Sequence, residues 1–343
     1  MPALSLPPLR ADSARAVAVR APGRLHLGFL DPSATLGRRF GSLGLVIEGF
    51  ETELELGPAA ADEDLLVADG AAGALELDRV AAHLHRLRER FARPQPLMLR
   101  LRRVLPAHAG LGSGTQLALA LGSAFARWHG IEASSAQIAA CLGRGRRSGI
   151  GIAGFDHGGL LVDGGPGASG GAAPLIARID PPAAWRVIVA LDRQRRGLAG
   201  AEEKGAIERL APLVRPAAAE ICHEVLMRVL PGAAADDFEA FAAGINRVQI
   251  LLGEHFAPAQ GGSAWTSPVV GRLMQWLRGQ AGDAAAVGQS SWGPTGFAIV
   301  PSAAAASGWI DAARAAAMVD PELELRVVAP RTRGAVLGLV EPR

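Results

Sequence analysis

The chain has 343 residues, 49% of them apolar and 20% charged, with a formal net charge of +2. That length suits one large domain or two ordinary ones, and the near-neutral balance excludes a strong global field for nucleic acid or a membrane surface. Two cysteines, Cys141 and Cys222, exclude a disulfide framework and do not stand at metal-finger spacing; both are expected as buried free thiols in a reducing cytoplasm.

In chain order, residues 1–14 read as a flexible tail. The first twenty residues mix prolines and charges and contain neither a signal peptide nor a membrane span. No later apolar run approaches the about 20 residues a membrane helix needs. The expectation is a soluble, cytoplasmic protein. "RAVAVRAPGRLHLGFLD" alternates and breaks at Pro22 and Gly23, which reads as strand, turn, strand. "SLGLVIEGFETELEL" reads as a further strand pair. "DRVAAHLHRLRERF" places Val80, Leu84, Leu87 and Phe91 at helical spacing; its His83 and His85 are taken as core or surface residues. "PLMLRLRRVL" is a strand leading into "PAHAGLGSGTQLALA", where a glycine loop opens a helix running from Thr115 to Trp128. A helix around Ala136 to Leu142 ends at Gly143, and "GIGIAGFDHGGLLVDGG" carries two short apolar segments among glycines. Two prolines before "AAWRVIVALD" mark a boundary near residue 182. Beyond it, Phe238, Phe241, Ile245, Val248 and Leu252 share one helix face. Another helix precedes "GQSSWGPTGFAIVP", and a last helix and the strand "ELELRVVAP" follow. Strands and helices mix without the regular alternation of a doubly wound sheet, so the fold class is α+β, with domains at 15–182 and 183–343.

The loop "GLGSGT" has a physical reading of its own. A helix N-terminus leaves backbone N–H groups without partners and carries the positive end of the dipole, so it favours an anion. Glycines let the backbone close around phosphate oxygens, with the Ser113 and Thr115 hydroxyls in reach. The Gly-Lys-Ser/Thr ending of a Walker loop is missing. Nearby, "GRGRRSG" packs Arg144, Arg146 and Arg147 into one short stretch.

Three glycine turns in order, "APGR" at 21–24, "PAHAGLGSGT" at 106–115 and "GQSSWGPTGFA" at 288–298, resemble the three motifs of the galactokinase, homoserine, mevalonate and phosphomevalonate (GHMP) kinase superfamily. The resemblance implies two domains with the ligand in the cleft between them. Many of those kinases carry Ser-Gly-Ile-Asp, whose aspartate helps activate the acceptor hydroxyl. Here Ser148, Gly149 and Ile150 line up, but position 151 is glycine, which cannot accept a proton; Asp156 stands five residues further on. Seven blocks, "RLHLGFLD", "RRFGSLGLVIE", "GLGSGTQ", "GRGRRSGIGIAGF", "GGLLVDGG", "AQGG" and "GQSSWGPT", look more like the β-ribofuranosylaminobenzene 5′-phosphate synthase family. That family is similar to the kinases in fold. It joins phosphoribosyl pyrophosphate to 4-aminobenzoate or 4-hydroxybenzoate, releasing carbon dioxide and pyrophosphate, in methanopterin biosynthesis. An ATP-dependent small-molecule kinase of the same superfamily is the alternative.

The resemblance implies roles residue by residue. Gly110, Gly112, Ser113, Gly114 and Thr115 would hold the pyrophosphate with Mg²⁺. Arg24, Arg38, Arg39, Arg144, Arg146 and Arg147 are the candidate partners of the phosphates or the benzoate carboxylate. Asp156, His26 and Arg147 are the catalytic candidates, Asp163 the metal candidate, and Trp292 a ring to stack on the aromatic substrate. Gln116, Gln289 and Asp31 are further polar candidates. A homodimer is also implied.

Overall fold

A computed structural model describes residues 16–167, 171–197 and 200–340; the expected tail at 1–14 lies outside them. The chain runs through β1 (Ala16–Asp31), β2 (Phe40–Pro58), β3 (Leu65–Ala68), α1 (Ala71–Ala74), α2 (Leu77–Phe91), β4 (Leu97–Arg103), α3 (Ser113–Trp128), α4 (Ser135–Cys141), α5 (Ile150–His157), β5 (Leu160–Asp163) and β6 (Leu175–Ile179). It continues with β7 (Arg186–Asp192), α6 (Gly200–Arg209), α7 (Arg215–Glu224), α8 (Leu230–Ala235), α9 (Phe238–Phe256), α10 (Pro268–Ala281), β8 (Ala286–Gln289), β9 (Thr295–Val300), α11 (Ala303–Ala315), β10 (Leu323–Val328) and β11 (Val336–Val340).

Seven strands form one sheet, ordered β11-β1-β2-β4-β3, with β5 branching from β2 to pair with β6. Four antiparallel strands, β10-β7-β9-β8, form the second. The second sheet starts at Arg186, just past the expected boundary. The last strand departs from that division: β11 crosses back to pair with β1, so the final residues complete the first domain's sheet.

The two strand–turn–strand expectations are corrected. β1 and β2 are each one long bent strand. The ladder slips between Pro22 and Arg24 and again between His26 and Gly28, so the proline and glycines make bulges where turns were expected. In β2 the bend falls at Gly49, with φ +77°. A bulge re-aims side chains without ending the strand, and here it turns Arg24 and His26 toward the cleft described below.

Helices α2 to α5 cover one face of the first sheet around Leu99, Leu101, Leu117 and Phe125. α3 is buried nearly all round, which suits its lack of a charged face. The other face of that sheet packs with β7, β9 and helices α7 and α9 in a core shared by both domains, including Leu25, Leu45, Val189, Phe241 and Phe297. α10 and α11 close the outer face of the second sheet. Each fully buried Leu or Phe stabilises such a core by roughly 1.5–3 kcal/mol. Cys141 and Cys222 are unpaired and half-buried, more accessible than expected. Among the described residues no helix is long and apolar enough to cross a membrane.

Candidate active site

The loop between β4 and α3 takes the conformation its glycines permit. Gly110 and Gly112 have φ +81° and +83°, and His108 between Ala107 and Ala109 has φ +57°. Gly112 is the N-cap of α3 and offers no side-chain cap. The N–H groups of Ser113 and Gly114 therefore lack intrahelical acceptors and form the open end of a sixteen-residue helix. Packing also demands these glycines. A Cβ on Gly110 would lie 2.2 Å from the Ser290 carbonyl oxygen, and one on Gly112 would lie 2.3 Å from Arg24 Nη1.

The three glycine turns are knitted into one wall. Arg24 N donates to Leu111 O (3.2 Å), and Ser291 N donates to His26 O (3.1 Å). His26 N donates to Ser290 Oγ (2.9 Å), Ser290 Oγ to Gly110 O (2.8 Å), and Thr295 Oγ1 to Ala109 O (2.6 Å). Segments far apart in the chain thus hold the loop in place through backbone groups and the Ser290 and Thr295 hydroxyls.

In front of this wall lies a cleft of about 780 Å³. Of the expected site residues, Arg24, His26, Arg39, Gly110, Gly112, Ser113, Gly114, Thr115, Arg144, Arg146, Arg147 and Trp292 line it. Arg79 from α2 joins them, making six arginines; Glu208 is the one carboxylate among the described lining residues. Arg144 has its pKa lowered, first by burial and then by Arg79 and Arg86. His26 is 4% exposed, and its Nε2 has no hydrogen-bond partner. Burial, then Arg24 and Arg147, push its pKa down to about 3, so the imidazole is neutral at physiological pH. The cleft is a cationic hollow with a helix N-terminus at one side, built to take more than one anionic group.

Trp292 is buried against Ala206 and Ile207, with Phe256 at 4.7 Å between ring centroids, so it is a wall of the cleft.

Five expectations are corrected. Asp156 is exposed at the end of α5 and accepts from Ser135 Oγ at 2.5 Å, away from the cleft. Asp163 is fully buried, and its carboxylate accepts from Gly149 N (2.7 Å), Ile150 N (3.1 Å), Gly165 N (2.8 Å) and Ser148 Oγ (3.3 Å). Those donors spend most of its acceptor capacity on the arginine loop and the start of α5, and it lies outside the cleft lining. Arg38 is exposed and donates to Gly165 O at 3.1 Å, outside the lining. Gln116 is fully buried and ties α3 to α5 by donating to Gly151 O at 2.9 Å. Gln289, by contrast, lines a smaller second chamber, where it accepts from Thr266 N and donates to Gln260 Oε1 and Ser291 O. The fifth, Asp31, is spent on its own loop, accepting from Ser33 N, Thr35 Oγ1 and Leu36 N.

Among the described residues no group of three or more His, Cys, Asp and Glu could hold a metal ion. The cleft lining offers the hydroxyls of Ser113, Thr115, Ser148 and Ser291 and a single described carboxylate, Glu208, where a resident Mg²⁺ would ask for several carboxylates. The residues present do not fit a protein-bound Mg²⁺. Arg79 and His108 line the cleft without having been expected there. His108 sits inside the glycine loop, which was a usable signal; Arg79 lies on an arginine-rich helix whose charges read as a solvated face.

Two curated relatives cover most of the chain. The beta-ribofuranosylphenol 5′-phosphate synthase of Archaeoglobus fulgidus is 33% identical over 296 residues, 83% of this chain and 88% of its own length. The chain belongs to the beta-ribofuranosylphenol 5′-phosphate synthase family. The Methanothermobacter thermautotrophicus protein of the same name is 30% identical over 297 residues, 82% of this chain and 88% of its own. Within the chain, residues 77–159 match the GHMP kinases N terminal domain and 229–317 the GHMP kinases C terminal domain. The fold is also that of homoserine kinase from Cytophaga hutchinsonii, with TM-score 0.66 and 15% identity over 96% of this chain and 99% of that one. Mevalonate diphosphate decarboxylase from Staphylococcus aureus gives TM-score 0.65 at 15% identity, over 94% and 98%. These likenesses bear out the two-domain GHMP-type α+β fold, while membership of the synthase family rests on the curated relatives.

Proposed function

We propose that this chain is a decarboxylating phosphoribosyl transferase. It joins phosphoribosyl pyrophosphate to the carboxyl-bearing carbon of 4-hydroxybenzoate or 4-aminobenzoate, releasing carbon dioxide and pyrophosphate. The relatives' printed name, with a phenol in the product, supports the hydroxyl-bearing acceptor. The observation that carries the reading is the six-arginine cleft around the N-terminus of α3, with glycine where a kinase-type base would stand.

The reaction balances without a protein base. The C1–O bond of the sugar breaks and its electron pair leaves with pyrophosphate. The ring carbon forms the new C–C bond to C1. The bond to the carboxylate then breaks, its pair returns to the ring, and carbon dioxide departs. No proton leaves the attacking atom. The Ser113 and Gly114 N–H groups and the Ser113 and Thr115 hydroxyls receive the pyrophosphate; the arginines neutralise the charge that grows on it and hold the 5-phosphate and the carboxylate. Neutral His26 presents a free acceptor, Nε2, suited to a ribose hydroxyl. Holding the two substrates in line supplies much of the rate.

In this reading Mg²⁺ enters on the pyrophosphate as part of the substrate, and the enzyme is a cytoplasmic homodimer of methanopterin biosynthesis. The test is release of labelled carbon dioxide from carboxyl-labelled 4-hydroxybenzoate or 4-aminobenzoate, dependent on phosphoribosyl pyrophosphate. Acceptor phosphorylation with ATP, and no carbon dioxide, would replace the proposal with a kinase.

A further inference from the structure

Beside the main cleft lies a second chamber of about 200 Å³, and the two share His26, Phe29, Ser291 and Trp292. It is smaller than the ~300–1,000 Å³ of drug-sized sites, so it suits a single ring. Its walls include the rings of Phe29, Phe256, Trp265 and Trp292. At the shared rim stands His26, with its buried, unpartnered Nε2. Away from the rim, Arg278 of α10 enters the lining. Its Nη2 donates to Val287 O (2.9 Å), and its guanidinium lies 5.6 Å from the Trp265 ring centroid. Its Nε is buried without a hydrogen-bond partner, and it makes no ion pair among the described residues. The described carboxylate of this lining, Glu254, is exposed. A half-buried arginine in an aromatic chamber, with donor capacity unspent, is a site for an oxygen acceptor on a flat apolar molecule.

We propose that this chamber seats the aromatic acceptor, with the carboxyl-bearing carbon toward the arginine-lined cleft and the para substituent toward Arg278. The inference rests on the synthase reading, because that chemistry sets the orientation. The attacking carbon must meet the sugar where pyrophosphate is held, so the substituent across the ring points away from the main cleft. Arg278 has only donors to offer there. A phenol oxygen accepts from a guanidinium, whereas an aromatic amine, its lone pair drawn into the ring, accepts poorly. The chamber therefore selects 4-hydroxybenzoate over 4-aminobenzoate, and because a donated hydrogen bond draws electron density from the para oxygen, Arg278 acts on acceptor binding and orientation and not on the attack itself.

The experiment compares Arg278→Gln and Arg278→Lys with Arg272→Gln, a control on the exposed side of α10. Steady-state carbon dioxide release is measured with each acceptor, alongside thermal melts. The expected result for Arg278→Gln is a KM for 4-hydroxybenzoate raised at least about tenfold. The KM for phosphoribosyl pyrophosphate stays within about twofold, and the preference for the hydroxyl acceptor shrinks; Arg278→Lys restores part of it. Ala264→Phe, which fills the chamber from its side, is a second variant and should block the acceptor while phosphoribosyl pyrophosphate still binds. Folded Arg278→Gln and Ala264→Phe variants with unchanged acceptor KM and preference would overturn the assignment. If the wild type releases no carbon dioxide, the synthase reading falls, and saturation-transfer NMR with 4-hydroxybenzoate decides the chamber separately. Binding weakened in Arg278→Gln supports an aromatic-acid site; no wild-type binding overturns it.

Discussion

Thr115 fills the space beside Gly151: a Cβ built on the glycine would come within 3.0 Å of Thr115 Cγ2. The next residue, Gln116, donates to the Gly151 carbonyl, so the first turn of α3 is clamped on the first turn of α5. The place where a kinase-type carboxylate would sit is already occupied by a member of the phosphate loop. Gly151→Asp should therefore push Thr115 out of position and overpack a buried contact, at about 1–3 kcal/mol of stability. Carbon dioxide release should fall by at least about tenfold, with no ATP-dependent phosphorylation gained. An active kinase from this single change would show that the absent base, and not the chemistry of the cleft, separates the two activities.

Arg147 lies in the cleft, close enough to His26 to help lower its pKa. Arg147→Ala should remove a charged hydrogen bond to substrate, about 1.5–3 kcal/mol, or roughly 10- to 150-fold in kcat/KM. The melting temperature should move less than the kinetics, because the half-buried Arg147 lines the cleft and belongs to none of the apolar cores. Kinetics within about twofold of wild type would take Arg147 out of the site.

The glycine turns were legible because backbone geometry forced them: at Gly110 and Gly112 a positive φ and a neighbour within 2.3 Å leave no room for a side chain. Arg144, Arg146 and Arg147 stood out by density alone. Arg79 and Arg278 did not, since an arginine on an amphipathic helix looks the same whether it faces water or a cleft. Asp156 was read as a stand-in for the carboxylate missing at position 151 and Asp163 as a metal candidate, yet which donors a carboxylate meets depends on partners the local pattern does not reveal. The long strands were hidden by Pro22, Gly23 and Gly49, which bulge a ladder as readily as they end one. β11 is five residues whose partner lies more than three hundred positions earlier, a pairing that no local window displays.

The two carboxylates should separate cleanly on mutation. Asp163→Asn replaces an acceptor of four bonds with a group that brings its own N–H donors to the same place, leaving buried amides unsatisfied. A loss of about 1–3 kcal/mol per unsatisfied group is expected, together with impaired catalysis as the arginine loop loosens. The Mg²⁺ concentration for half-maximal rate should not change. Asp156→Ala, on the outer end of α5, should leave kcat and KM within about twofold. A shifted Mg²⁺ requirement in Asp163→Asn would restore it as a metal ligand.

His26 makes a prediction in pH. Its pKa is about 3 in the fold against 6.5 for a free histidine, because burial and then two arginines disfavour the cation. Between those values the unfolded chain binds a proton that the folded chain refuses, so stability rises with pH across that window and is lost on acidification. His83, also buried and lowered to about 4 for the same first reason, adds to the slope in the same direction. Urea-denaturation midpoints from pH 4.5 to 7.5 should therefore climb toward neutrality, and His26→Gln should flatten the climb. The same displacement means that kcat/KM should show no ionisation of His26 between pH 6 and 8. A wild-type NMR titration of His26 near pH 6.5 would contradict both statements, because the imidazole could then be charged in a cleft that already gathers six arginines.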